Sequence, residues 1–233
     1  MSLLPFVDQL GSLVQNRKFR IILASQSPRR QQLLRENVLN GKVEFIIRAS
    51  GFKEDHEKKL YEGRPRDYVS TYAVEKAFDI CKTLSSEDLQ YPDLLVIGCD
   101  TVVVHQDNIL EKPENDEIAF RNLMSYSGKT QVVISGVCLR QLHVTDGEVV
   151  TVKEDIFSVE TLVRFDEIEN KVGLAYVATG EPRDKAGGYG IQGLGSGLIS
   201  GIDGCFFNVM GFPVHAVSKA ISKLPFVENL NQL

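Results

Sequence analysis

Two short stretches hold side chains capable of chemistry. In ILASQSPRRQQLL, residues 22–34, an apolar run stops at small and polar residues including Ser25 and Ser27, and Pro28 is followed at once by Arg29 and Arg30. A strand, a polar loop and a helix start make an anion site, because unpaired N–H groups and the helix dipole both favour negative charge. The serines add hydroxyl donors, and the two guanidinium forks match phosphate oxygens. Arginines in a first helical turn oppose the dipole, so helix stability does not account for them. They are either part of a phosphate cradle or two solvated surface cations. In LLVIGCDTVVVH, residues 94–105, Asp100 interrupts an apolar run. A carboxylate there is costly unless it is paired, hydrogen-bonded or metal-bound. Where a strand meets a cleft it can hold Mg²⁺ and activate water; the other reading is an Asp at a strand end or turn.

Glu54, Lys76, Lys112, Asp184 and Lys185 stand singly, and a charge on a loop is ordinarily a solvated charge. Lys76 differs in flanking the apolar face of a helix, near Tyr72 and Ile80. His56, His105, His143 and His215 have no zinc-ligand spacing, and no G-x-S-x-G elbow occurs. Cys81, Cys99, Cys138 and Cys205 form no C-x-x-C pair and read as reduced thiols of a cytoplasmic protein.

The elements that must position these residues alternate between strand and helix. FRIILA reads as a buried strand, and PRRQQLLREN as a helix capped by Ser27 with Pro28 at its first position. VEFIIRAS reads as a second strand, running into a charged loop, GFKEDHEKKLYEGRPRD. From Asp67 the apolar residues Val69, Ala73, Ala77, Ile80 and Leu84 recur at helical spacing. PDLLVIGCDTVVVH is the most strand-like run, and NDEIAFRNLMSY is a helix opened by acids. TQVVISGVCLRQL and EVVTVKEDIFSVETLVRF, joined through TDG, predict an antiparallel hairpin. DEIENKVGLAYVATG and PVHAVSKAIS read as further helices, with a glycine-rich stretch between them taken as a close-packed loop. Crossover strands with a hairpin predict a mixed-sheet α/β fold.

The 233 residues, 24% of them charged, suit one large domain or two intimate lobes. A net charge of −5 supplies no global basic field for nucleic acid, so any anion site is local. No apolar stretch approaches the ~20 residues of a membrane span. Residues 1–19 read as an amphipathic extension, packed on the body or frayed, since Asp8 and the late basic residues do not suit a signal peptide.

Two motifs fail on context. SGKT, residues 127–130, has Leu123 where a P-loop needs its first glycine, and a strand rather than a helix follows. GYGIQG, residues 188–193, fits G-x-G-x-x-G but sits late, without the preceding strand that a dinucleotide fingerprint requires.

Six ordered motifs, however, together resemble the Maf family of nucleoside triphosphate pyrophosphatases. They are ILASQSPRRQQLL, YAVEKAFD, VIGCDTVV with ILEKP, SGKTQVVISGV, TGEPRDKAGGYGIQGLG and NVMGFP, covering about residues 20 to 220. The resemblance implies cleavage between the α- and β-phosphates of a nucleotide, a divalent cation (Mg²⁺ or Mn²⁺), and a homodimer. It implies a Maf/ITPase-like, two-lobed α/β fold with a long mixed sheet and an active-site cleft between lobes, occupying residues 20–233 after the 1–19 extension. Carried over position by position, Asp100 becomes the general base or metal-linked carboxylate. Ser25, Arg29, Arg30, Lys76, Lys112 and Lys185 become the phosphate set, and Glu54, more loosely aligned, a metal ligand. Arg29, Thr101 and Gln192 match the dTTP/UTP subfamily rather than the one acting on 7-methyl-GTP, and modified pyrimidine nucleotides stay open as substrates. An amide at 192 can both donate to and accept from a pyrimidine edge. Three positions depart from the commoner pattern: Glu111, Gln131 in place of a histidine, and Ser135. The competing functions are a nucleotide-binding regulator of cell division and an inosine-type nucleotide pyrophosphatase.

Overall fold

Residue alternation and strand length explain the architecture. The structure is a computed structural model that describes residues 3–53 and 58–230. β1 (Phe19–Ala24) is buried along its whole length and lies parallel to both β2 (Ile46–Ile47) and β3 (Asp93–His105). β4 (Asn108–Leu110) folds back antiparallel on the end of β3. β5 (Thr130–Thr145), β6 (Glu148–Phe165) and β7 (Ile199–Asp203) continue the sheet antiparallel, in the order β2-β1-β3-β5-β6-β7. The chain is thus α/β with a mixed, open seven-stranded sheet. The β5–β6 hairpin turns at Asp146 and Gly147, both at positive φ (54° and 81°), as a tight turn matched to strand twist demands.

α1 (Val7–Gln15), α2 (Pro28–Leu33), α7 (Val214–Ile221) and α8 (Pro225–Leu230) cover one face of the sheet. Leu10, Phe19, Ile21, Leu34 and Val217 form its core, with Phe19 and Phe226 stacked at 4.0 Å between ring centroids. α3 (Pro65–Lys82) covers the other face, over Ile22, Leu94, Val96 and Cys138. It lies so close that a Cβ at Gly98 would sit 2.0 Å from the Ala73 carbonyl oxygen, and one at Gly136 2.4 Å from that of Val69. The long strands carry the sheet onward into a second core. There α4 (Asp116–Tyr126) and α5 (Asn170–Ala178) pack Tyr126 and Tyr176 with Val103, Val133, Val163, Phe165 and Tyr189.

Most expected elements are present, with three differences. VEFIIRAS pairs with β1 only at Ile46 and Ile47, both exposed, so little burial rewards a longer strand at this edge. The glycine-rich stretch holds β7 and the short α6 (Phe206–Val209) among its turns. β4, three residues long, is too short to carry a periodic signal. No described helix is long and apolar enough to cross a membrane.

Candidate active site

The site begins as a gap in hydrogen bonding along β3. β1 accompanies β3 as far as the Ala24–Gly98 pair, and β4 takes over at the Val103–Leu110 pair. Between them residues 99–102 keep β5 on one side only, just beyond the carboxyl end of a parallel strand, where open α/β sheets bind ligands. A cleft of about 700 Å³ opens there. It is lined by Ser25, Arg29, Arg30, Lys76, Asp100, Thr101, Lys112, Lys185 and Gln192. Glu54 lies outside the described residues.

Strand alternation sends Asp100 and Thr101 to opposite faces. Asp100 turns toward α3, where the Lys76 ammonium donates to its Oδ1 at 2.8 Å; each side chain is 10% exposed. Thr101 turns the other way and meets Ser135, its register partner on β5, at 2.9 Å between hydroxyls. Arg30 is fastened into this floor: Nη2 donates to Thr101 Oγ1 (3.0 Å), Nε to the Gly211 carbonyl (2.9 Å) and Nη1 to Ser25 Oγ (3.4 Å). The Ser27 cap forms as expected, accepting from the Arg30 N–H. Cys99, next to the carboxylate, is buried and donates toward the Gly211 carbonyl at 3.5 Å. Burial pushes its thiol above the ordinary range and keeps it inert.

Arg29 behaves differently from Arg30. It reaches across the cleft, Nη1 donating to Asp184 Oδ2 at 2.9 Å and Nη2 to the Asp184 carbonyl at 3.1 Å. Lys185 Nζ donates to the same carboxylate (Oδ1, 2.6 Å) and to the Glu181 carbonyl (2.8 Å). Partial burial would raise the Asp184 carboxyl, but Lys185 and Arg29 outweigh it and hold it below the usual range. Lys112 follows Glu111, whose carboxylate accepts from the Tyr68 hydroxyl (2.6 Å) and pairs with Lys58 (2.7 Å). Gln131 does not line the cleft; it is buried on β5, its amide without a partner among the described residues.

The cleft is therefore a cationic recess, with Arg29, Arg30, Lys76, Lys112 and Lys185 concentrated in a chain of net charge −5. Chemically it can bind a polyanion along its walls and present one carboxylate at its floor. Sequence reading named Asp184 only as a solitary charge and missed its tie to Arg29 and Lys185, the Gly211 carbonyl that orients Arg30, and the Ser135 link to Thr101. Ser135 was findable from register, since it faces Thr101 once β3 and β5 are aligned; a backbone carbonyl has no such signal.

The model of the family described as Maf-like protein matches residues 20–224. A dTTP/UTP pyrophosphatase of Clostridium perfringens is 41% identical over 202 residues, covering 87% of this chain and 95% of the relative. One from Acetivibrio thermocellus is 39% identical over 200 residues, 85% of this chain and 92% of the relative. A probable bifunctional dTTP/UTP pyrophosphatase/methyltransferase protein of Homo sapiens is 39% identical over 205 residues, 88% of this chain. The chain spans 32% of that human relative's length.

Proposed function

The chain belongs to the Maf-like protein family, and from that premise and its cleft we propose that it is a metal-dependent nucleoside triphosphate pyrophosphatase acting on dTTP and UTP. The products are the nucleoside monophosphate and pyrophosphate. The observation that carries the reading is a buried carboxylate, Asp100, ion-paired to Lys76 on the floor of a recess walled by arginines and lysines. Phosphoanhydride hydrolysis needs neutralised phosphate oxygens and an activated water held in line, and little else from the protein. Arg29, Arg30, Lys112 and Lys185, with the Ser25 hydroxyl, bind and neutralise the triphosphate. Asp100 accepts the proton of the attacking water while Lys76 fixes the carboxylate's orientation. Arg29, Thr101 and Gln192 select the pyrimidine, the Gln192 amide meeting the base edge with both a donor and an acceptor.

The residues fit a hard divalent cation. The Asp100 carboxylate supplies hard oxygen donors at the floor of the cleft, as Mg²⁺ or Mn²⁺ takes when held by one or two carboxylates plus substrate phosphate oxygens. Asp100 would hold it, with Glu54 as a second ligand. Bound there, it supplies charge neutralisation and a more acidic water. The reading extends to residues 20–233 as the catalytic unit after the 1–19 extension, and to a cytoplasmic homodimer, for which light scattering should give twice the chain mass.

The test is pyrophosphate release from single nucleotides with Mg²⁺ or Mn²⁺. UTP and dTTP should be turned over far faster than GTP, ITP or CTP. Preference for ITP or GTP overturns the substrate; no release from any nucleotide overturns the activity and leaves a binding regulator.

A further inference from the structure

The side chain of Glu181 makes no hydrogen bond to any group assigned above, yet the base-side wall is wound around it. Its Oε2 accepts from the Leu194 N–H at 2.8 Å, and its Oε1 from the Gly195 N–H at 3.1 Å and the Tyr176 hydroxyl at 3.0 Å. The Tyr176 oxygen in turn accepts from the Gly190 N–H at 3.0 Å. Gln192 thus sits between a backbone group fixed at 190 and two fixed at 194 and 195. The chain passes directly over the carboxylate: a Cβ at Gly193 would lie 2.4 Å from Oε2, and one at Gly190 3.0 Å from Oε1. This accounts for two glycines of GYGIQG without any dinucleotide. Partial burial would raise the Glu181 carboxyl, but the Gly195 and Leu194 N–H groups and the Tyr176 hydroxyl outweigh it, so the group is held below its usual range.

Residues 189–193 are irregular backbone between two 3-10 turns, Ala186–Gly188 and Leu194–Leu198, with no regular ladder to fix a side chain's direction, so the acceptor that collects the flanking N–H groups decides where Gln192 stands. We propose that Glu181 is a positioning residue for base selection, its carboxylate holding the 190–195 loop so that Gln192 meets the pyrimidine edge. The Glu181 carbonyl also accepts from Lys185, so one short turn supports the base reader and a phosphate cation together. This inference rests on the role proposed for Gln192.

Two measurements on the full chain test it. First, kinetics with UTP and CTP on wild type, Glu181→Ala, Gln192→Ala and the double variant. Glu181→Ala should raise the UTP KM about tenfold with kcat held within about twofold, and cut the UTP-over-CTP preference by a similar factor. In the Gln192→Ala background the Glu181 effect should largely vanish, because one acts through the other. A full additional loss in the double variant, an equal loss with CTP, or an equal loss on a base-free ribose triphosphate overturns it. Glu181→Gln, which keeps one acceptor oxygen, should fall between wild type and Glu181→Ala, and replaces the alanine variant should that fail to fold. Second, hydrogen exchange needs no substrate: the Leu194 and Gly195 amides should exchange about tenfold faster in Glu181→Ala and by a smaller factor in Glu181→Gln, with β3 amides unchanged. Unchanged exchange refutes the positioning role even if the wild type proves to have no pyrophosphatase activity, and faster exchange with no turnover refutes only the activity.

Discussion

The two walls of the cleft are built in different ways. On the β3 side, Asp100, Thr101, Arg30 and Lys76 stand on one strand and two helices, whose spacing is set by register with the neighbouring strands and by two glycines pressed against α3. Asp100 and Lys76 are buried as a pair, and Arg30 and Thr101, half-buried, are held by hydrogen bonds to each other and to the Gly211 carbonyl. On the other side, Arg29 finds its partner in Asp184, and Gln192 takes its direction from a turn organised by the Glu181 carboxylate. The strand wall suits the step that tolerates no misplacement, the alignment of water, carboxylate and phosphorus. The turn wall suits a surface that must admit a substrate and release two products.

Breaking the strand wall should cost most. Asp100→Asn should lower kcat by about 10²–10⁴ with nucleotide binding retained, as measured by a fluorescent nucleotide; full activity removes Asp100 from the mechanism. Asp88, fully buried, pairs with Arg20 at 2.8 Å on β1 and with Arg48 after β2, anchoring the strand that leads into Ser25. Burial alone would raise its carboxyl, but Arg48, Arg20 and Ser85 hold it well below the ordinary 3.8. Because the folded group is the stronger acid, its stabilisation is complete above about pH 4 and is lost as the pH falls below that value. Asp88→Asn should therefore cost about 3 kcal/mol near neutrality, with a gap from the wild-type melting temperature that narrows in acid. A constant gap contradicts the ion-pair account.

Gly98→Ala should cost about 2–3 kcal/mol, since α3 must lift from the sheet and take Lys76 with it. That should lower the melting temperature by about 5–10 °C. Gly197→Ala, whose new Cβ would meet nothing within 4 Å, serves as the control. Asp184→Asn should have the smallest effect, and in the opposite sense. Removing an exposed carboxylate that competes with phosphate for Arg29 and Lys185 should lower the KM for UTP and the inhibition constant for pyrophosphate about two- to fivefold. A rise in KM instead would place Asp184 among the groups that hold substrate or cation.

The same contrast separates what could be read from the chain alone. Asp100 was legible because a carboxylate inside an apolar strand is costly, and Arg29 and Arg30 because they oppose a helix dipole. The long strands, the TDG hairpin and the cap at Ser27 follow from local periodicity and turn chemistry. The resemblance set Arg29 apart from Arg30 as a base-selecting residue, but the structural basis of that split was not legible. It depends on Gly211, a backbone carbonyl, and on Asp184, 155 residues from Arg29. Nor was the geometry of GYGIQG, where the deciding group is a carboxylate outside the motif, within a TGEPRDKAG segment of otherwise ordinary loop composition.

The most direct test of the central claim is the phosphorus NMR spectrum of UTP after incubation with the protein and Mg²⁺ or Mn²⁺. The account predicts resonances of UMP and inorganic pyrophosphate in equal amounts, from a single cleavage between the α- and β-phosphates. UDP with orthophosphate, or UTP left intact, would contradict it.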